Sequence, residues 1–295
     1  MGFYLNTGDI YALLTAFCWS SAVILFDLSN RRLGSLEMNM LKNIIGVFGF
    51  VLTLQFLEGG FPKCSSIDLA LLIVSGVLGV ALGDLLFLAS LRRLGAGLSA
   101  IIGTSYSPAV FLFSFLMFQE TITTQSYIGG ILVMAGIMVG TLKISARSGK
   151  KDIIKGVLYG ILAQALTAYS VLMVRPIMES YSIIFIALVR FSTGFILSAC
   201  VLWILKGRTI LMGTVKMGIK NPYLVTGALL GTYLSVIFWL LGFKYTLAGR
   251  AAIYNQLSTI LIILMAAVFL NESMTQRKWL SVVLAVCGAL LVSSA

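Results

Sequence analysis

The chain consists of long apolar runs of about 18 to 24 residues joined by short polar connections. An α-helix needs about 20 apolar residues to cross the roughly 30 Å hydrocarbon core of a bilayer, whereas a membrane barrel would show short alternating segments. The chain is 59% hydrophobic and only 11% charged, against about 25% charged in a typical soluble domain. The sequence therefore predicts an all-α integral membrane protein with many spans.

Ten spans are predicted, and no soluble domain is visible between them. The N-terminus lacks the basic region and the small-residue cleavage site of a signal peptide, so we expect the first span to stay in the membrane. The predicted spans are 9–29, 37–57, 67–90, 97–118, 124–142, 154–174, 182–204, 223–243, 250–270 and 277–294.

The sequence repeats in two halves. FQETITTQSYIG begins at Phe118 and FLNESMTQRKWL at Phe269, which places Glu120 and Glu272 152 residues apart. Each copy contains five spans, and an odd number makes the second copy enter the membrane from the opposite side. We therefore predict two inverted five-helix repeats, residues 1–148 and 149–295, around a central cavity, an arrangement used for alternating access. With this offset Gly79, Gly97, Ala100 and Gly136 match Gly231, Gly249, Ala252 and Gly288, and with an upstream offset of 148 Gly8, Tyr11, Lys42 and Gly46 match Gly156, Tyr159, Arg190 and Gly194.

Loop charges predict the orientation. Of the 21 Lys and Arg residues, fifteen fall in the connections on the side reached after the first span, four lie on the terminal side, and Lys42 and Arg190 lie inside spans. Positively charged loops stay in the cytoplasm, so both termini are predicted to be extracytoplasmic. The basic residues are spread over five separate loops, so nucleic acid is not an expected partner, and membrane lipid is.

The run GVALGDLLFLASLRRLGAGLSAIIGTSYSP, continuing through Glu120 into a glycine-rich span, resembles the EamA domain of the drug/metabolite transporter superfamily. FCWSSAVILF resembles the first span of that domain, and MLKN and LVRF its basic second-span position. The second half repeats the pattern more weakly and has Ile260 where the first has Pro108. The resemblance covers nearly the whole chain.

The resemblance implies ten helices in two inverted repeats, a central cavity and alternating access. Members move amino acids, amines, nucleotide sugars, sugar phosphates and other metabolites, and many bacterial members export from the cell, so we expect a multi-pass protein of the plasma (inner) membrane. The resemblance places the termini in the cytoplasm; the loop charges favour the reverse, and we follow the charges. The function expected is secondary-active export of small polar metabolites such as amino acids. The alternatives are a carrier of phosphorylated metabolites or nucleotide sugars, a lipid-handling flippase and a membrane scaffold.

Asp84, Lys42 and Arg190 lie well inside predicted spans, where a charge costs roughly 2.5–3.5 kcal/mol and favours a cavity or a partner. Asp84 is either a proton or cation site, and hence a coupling residue, or one member of a structural pair with a nearby lysine. Lys42 and Arg190 either attract an anionic substrate group or anchor their helices, and the sequence favours anchoring. Glu120 and Glu272 are each expected to complement the positive end of the helix that follows.

A transport cavity should combine apolar and aromatic walls with a few polar groups. Polar and aromatic residues at mid-span depth are the candidates for substrate contact. These are Trp19, Ser20, Tyr106, Gln164, Tyr169, Tyr233, Trp239, Tyr254, Asn255 and Gln256.

Catalysis and cofactors find no support in the sequence. The chain has no histidine, no Cys-x-x-Cys pair and no glycine-rich phosphate loop, which removes the usual zinc, haem and nucleotide patterns. We therefore expect neither an enzyme nor a metal site. Transport energy would come from exchange, from the gradient of the substrate, or from coupling to protons or sodium.

Overall fold

A computed structural model of the chain describes residues 7–30, 33–119, 124–141, 150–245 and 248–293. Every regular element in these ranges is helical, and apart from the C-terminal extension of the helix that begins at Ile183, the helices lie where the apolar runs predict them, to within a few residues. The α-helices are α1 (Thr7–Asn30), α2 (Ser35–Leu57), α3 (Ser66–Ser75), α4 (Asp84–Leu94), α5 (Ala96–Gly103), α6 (Tyr106–Phe118), α7 (Thr124–Thr141), α8 (Lys150–Val174), α9 (Ile183–Ile219), α10 (Pro222–Ala228), α11 (Ser235–Tyr245), α12 (Ala248–Phe269) and α13 (Gln276–Ser293).

Seven segments of the described chain are long and apolar enough to cross a membrane, which makes the protein an integral multi-pass membrane protein. Two shorter apolar helices, Tyr127–Val139 and Leu257–Phe269, lie within the predicted fifth and ninth spans. The count of ten spans remains a prediction. The seven segments are Thr7–Ser29, Ser35–Leu57, Ser66–Leu94, Ala96–Phe118, Lys151–Ile177, Ile183–Thr209 and Pro222–Tyr245.

Two spans contain a π-helical stretch at mid-length. Gly76–Gly83 joins α3 to α4, and Leu229–Leu234 joins α10 to α11. A π-helix pairs each N–H with the carbonyl five residues back, so carbonyls at its ends need other donors, and such stretches are frequent at functional sites. The amide of buried Asn39 donates to the carbonyls of Val80 and Ala81, both at 3.1 Å. Asn39 on α2 therefore holds the wider turn in place.

The fourth span breaks between α5 and α6, at Thr104 and Ser105. Pro108 has no N–H to donate to the carbonyl of Thr104, and its ring crowds that carbonyl, which is how proline breaks helices. The hydroxyl of Thr104 turns back to the carbonyl of Ile101 at 2.6 Å. In the second half Ile260 replaces the proline, and α12 is continuous.

The connection predicted after residue 204 is instead helical. Helix α9 continues to Ile219, with one break at Gly207, where φ is +78°. Glycine adopts this left-handed conformation without the cost that a side chain imposes. The prediction that residues 205–222 form a loop between two spans was therefore wrong. The charged residues of this segment lie on a helix that continues beyond the bend at Gly207.

Helix α1 packs against α11 and α12, and α8 packs against α4 and α6. Helix α2 packs against α9, and α7 against α13. These contacts enclose a space at the centre of the bundle.

Candidate functional site

A cavity of about 190 Å³ lies at the centre of the bundle. Its walls come from α1, both π-helical stretches, α4, α5, α6, α8, α9, α11 and α12, so residues before and after the middle of the chain contribute equally. Trp19, Phe87 and Trp239 supply aromatic surface, with the rings of Trp19 and Phe87 5.4 Å apart. Apolar walls with a few polar groups are typical of sites for small molecules.

An ion pair closes one side of the cavity. The ammonium of Lys42 lies 2.6 Å from Asp84 Oδ2 and donates a second hydrogen bond to Asn43 Oδ1 at 2.8 Å. The Lys42 side chain is 5% exposed and does not line the cavity, whereas Asp84 lines it with 23% exposure. Both interpretations of Asp84 from the sequence thus have a geometric basis, since it pairs with a lysine and also faces the cavity.

Arg190 lies in the cavity wall with a residue exposure of 3%. One terminal nitrogen donates to the hydroxyl of Ser170 at 3.0 Å, and Nε has no hydrogen-bond partner among the described residues. Asp84 and Tyr106 are both close enough to interact electrostatically with the guanidinium. Lys42, Asp84 and Arg190 together leave one positive charge in excess beside the cavity.

Three more polar atoms of the cavity wall lack a partner in the described part of the chain. They are the hydroxyls of Ser99 and Tyr106 and Oδ1 of Asn255. The Trp239 indole is near the Tyr106 hydroxyl but does not meet hydrogen-bond geometry. Buried polar atoms are nearly always paired in folded proteins. Unpaired atoms around a cavity are therefore available to a bound molecule.

The structure brings seven of the predicted site residues to the cavity and leaves five elsewhere. Ser20 donates to the carbonyls of Ala16 and Ser258, and Tyr254 is half-buried away from the cavity. Tyr169 contacts Phe113, and Tyr233 contacts Phe50 and bonds to Thr53. Lys42 is the fifth, and the Gln256 side chain lies outside the described part. The residues that line the cavity are Trp19, Asp84, Tyr106, Gln164, Arg190, Trp239 and Asn255.

Sequence reasoning missed the small hydroxyls of the cavity wall. Five of the seven lie three or four residues from a predicted position, and residues at that spacing are neighbours on a helix surface. The other two, Ser99 and Thr232, lie seven residues before Tyr106 and Trp239. Helical spacing from the predicted aromatic and amide residues could have found them. The missed residues are Thr15, Ser99, Thr167, Thr232, Ser235, Ser258 and Thr259.

At one end of the bundle, Glu272 connects the two halves. Its Oε1 accepts the backbone N–H of Gly97, in the first turn of α5, at 3.3 Å, and its Oε2 lies 2.6 Å from the ammonium of Lys278. Glu272 thus contacts the N-terminus of α5, and its complementing of the helix that follows it stays a prediction. Glu120 lies outside the described residues.

At the opposite end, Tyr181 connects the two halves. Its hydroxyl donates to Asp68 Oδ2 at 2.8 Å and accepts the N–H of Ser65 at 3.3 Å. The hydrogen bond to the Asp68 carboxylate raises the pKa of Tyr181, because it favours the protonated hydroxyl. Both ends of the bundle are thus bridged by polar contacts between residues from the two halves of the chain.

The fold defines a multi-pass helical membrane protein with a cavity at the centre of its bundle. Residues 6–142 and 154–294 each match the EamA-like transporter family. The chain therefore belongs to the EamA-like transporter family, within the drug/metabolite transporter superfamily, as the sequence resemblance indicated. Membership makes it a transporter rather than an enzyme.

A relative and a solved structure are consistent with this assignment. An uncharacterized transporter of Archaeoglobus fulgidus is 24% identical over 184 residues, which span 61% of this chain and 63% of that protein. A protein of known crystal structure matches this fold with a TM-score of 0.67 and 14% sequence identity. The match covers 97% of this chain and 98% of that protein's chain. The second likeness concerns the fold alone.

Proposed function

We propose that this protein is a secondary-active carrier that exports a small polar metabolite, such as an amino acid, by alternating access. The observation that carries the proposal is the central cavity with unpaired polar atoms, in a bundle whose two ends are bridged by contacts between the halves. A cavity of about 190 Å³ is smaller than the 300–1,000 Å³ usual for larger ligands, which favours a small metabolite over a nucleotide sugar.

The proposal includes ten spans in two inverted five-helix repeats, residues 1–148 and 149–295. Helix packing supports this arrangement. The offsets relate α1 to α8 and α6 to α12, and just as α1 packs against α12, its equivalent α8 packs against α6. The two π-helical stretches also coincide under the 152-residue offset. Left-handed Gln119 and Asn271 are 152 residues apart as well, with φ of 57° and 54°.

Close contacts at glycines support the same offsets. A Cβ on Gly136 would meet Ala285, and a Cβ on Gly288 would meet Val133. The 152-residue offset relates Gly136 to Gly288 and Val133 to Ala285, so the two contacts are equivalent. A Cβ on Gly79 would meet Ser170, and the equivalent Gly231 meets Ala22. Small residues let helices approach closely in lipid.

Asp84 is the coupling residue in this proposal. Protonation of its carboxylate would release the ammonium of Lys42, and because Asp84 faces the cavity the proton could be exchanged with whichever side the cavity opens to. The fifteen basic residues on the side reached after the first span support extracytoplasmic termini by the positive-inside rule. Membrane lipid surrounds the helices, and the plasma (inner) membrane is the location proposed.

A thermal-shift screen of the detergent-solubilised protein tests the substrate class. Amino acids, amines, sugar phosphates and nucleotide sugars are compared on wild type and Asp84→Asn. A ligand at 100 times its dissociation constant stabilises the native state by about 2.7 kcal/mol. Stabilisation by amino acids that Asp84→Asn weakens is expected. Stabilisation by phosphorylated compounds alone, unchanged in the variant, would favour the carrier of phosphorylated metabolites instead.

A further inference from the structure

Arg190 is a buried cation at the cavity that makes no ion pair with the described residues, whereas its counterpart Lys42 does. The interaction of Arg190 with Asp84 is a longer-range electrostatic one. Lys42 and Arg190 match under the offset of 148, and Asp84 matches Val236 under the offset of 152. Lys42 is paired with Asp84 at 2.6 Å. Where Arg190 would find an equivalent carboxylate, the chain has Val236, and Asp84, Val236 and Arg190 all line the cavity.

The guanidinium keeps hydrogen-bonding capacity for another molecule. Arginine carries five N–H donors in a planar fork that suits a carboxylate. In the described residues Arg190 uses one terminal nitrogen on Ser170, at 3.0 Å, and Nε is unpaired although the residue is 97% buried. A buried charge without its full set of partners is costly, so this donor set favours occupation by an anion.

Other unpaired atoms of the wall suit the rest of a small carboxylate compound. The Tyr106 hydroxyl can donate to the same anion, since it lies within electrostatic range of Arg190. The Asn255 side-chain oxygen, which has no donor in the described part, can accept from a substrate amine. The single positive charge in excess matches the single negative charge of a carboxylate group.

We infer that Arg190 is the anion-binding residue of the cavity and that the transported compound carries a carboxylate group. The guanidinium binds this carboxylate because Val236 stands where the first half of the chain has the carboxylate of Asp84. This inference rests on the proposed transport function and names its substrate class. It assigns different roles to two residues that the sequence treats as equivalent. Lys42 is neutralised within the protein, and Arg190 is neutralised by the substrate.

The decisive variant leaves Arg190 in place. Val236→Asp supplies the carboxylate that Asp84 supplies to Lys42, so it should occupy the guanidinium and exclude the anion. Val236→Asn is the matched control, because it has the same size and polarity without the charge. Arg190→Gln removes the cation directly, and the melting temperature of each variant without ligand shows that it is folded.

The probes are the twenty L-amino acids, the amides of leucine and phenylalanine, 4-methylpentanoate and glucose 6-phosphate, with affinity measured by thermal shift. Wild type and Val236→Asn should bind leucine or phenylalanine at least tenfold more tightly than the matching amide, a factor typical of hydrogen bonds to charged groups. Val236→Asp and Arg190→Gln should lose that preference and bind the acid no more tightly than the matching amide.

Three results would overturn the inference. These are equal affinity for acid and amide in wild type, an unchanged acid preference in Val236→Asp, and a response to glucose 6-phosphate with none to any carboxylate. Counterflow in proteoliposomes separates this failure from failure of the proposed function. If amides are carried saturably as well as acids, transport stands and Arg190 loses its role. If no water-soluble probe is carried, the transport proposal itself fails.

Discussion

Lys42 Nζ and Asp84 Oδ2 lie 2.6 Å apart, and this pair joins α2 to the start of α4 at the wall of the central cavity. The lysine is enclosed, and the aspartate is partly open to the cavity. The Asp84 carboxylate stabilises the buried ammonium of Lys42 and also faces the cavity, which makes it a suitable group to take up and release a proton. In the proposed function, the pair connects the stability of the protein with its transport cycle.

Breaking this pair should cost stability, and removing both charges should restore much of it. Loss of one partner of a buried pair costs roughly 3–5 kcal/mol, because the remaining charge is left without compensation. Asp84 is 23% exposed, so its loss should lie at the lower end. We expect Asp84→Asn and Lys42→Met each to lower the melting temperature and the double variant to recover most of the loss. Strictly additive losses in this double-mutant cycle would show that the pair contributes nothing.

The contact of Glu272 with the N-terminus of α5 should hold one end of the cavity closed. A hydrogen bond to a charged group contributes about 1.5–3 kcal/mol, and about 1.4 kcal/mol corresponds to a tenfold change in an equilibrium. Glu272→Gln should therefore increase opening at that end about tenfold. The measurement is the rate at which a membrane-impermeant maleimide labels Ser99→Cys, applied to each membrane face in turn, in a background without the four native cysteines.

The control for this experiment is Glu58→Gln, because Glu58 is exposed at the C-terminus of α2. The Glu272 variant should accelerate labelling from the face on which Glu272 lies and leave the other face unchanged. Equal acceleration from both faces would mean that the bundle has loosened as a whole, and the closing role of Glu272 would be wrong.

Two glycines of α7 should respond differently to alanine. A Cβ on Gly136 would lie 2.7 Å from the backbone nitrogen of Ala285, whereas one on Gly130 would meet nothing within 4 Å. Gly136→Ala should therefore force α7 and α13 apart and destabilise the protein, by about 1–3 kcal/mol as overpacking usually does. Gly130→Ala should be neutral or stabilising by up to about 1 kcal/mol, from helix propensity. Thermal denaturation in detergent measures both, and equal effects would contradict the packing described.

The sequence was sufficient to predict the helical membrane class and the family, because hydropathy and the EamA pattern act over long stretches. It placed Trp19, Asp84 and Arg190 at mid-span depth, where the cavity lies, but depth does not fix the direction of a side chain around its helix. Tyr233 and Tyr169 have suitable depth and face neighbouring helices instead. Lys42 has an ion-pair partner in Asp84, whereas Val236 stands at the equivalent position for Arg190. These residues are distant in the sequence, and only the packed structure brings Asp84, Val236 and Arg190 to one cavity.

Counterflow in proteoliposomes, compared with a variant whose cavity is partly filled, is the strongest test that a small solute passes through the cavity. Gly103 lines the cavity, so Gly103→Leu should fill part of it, whereas Gly130→Leu faces open space and serves as the matched control. The vesicles are loaded with the amino acid that gives the largest thermal shift, and uptake of the labelled compound is measured over a range of concentrations. Saturable uptake by wild type and Gly130→Leu, reduced at least tenfold in Gly103→Leu, is the predicted result. Equal uptake by all three proteins, or uptake that never saturates, would contradict transport through this cavity.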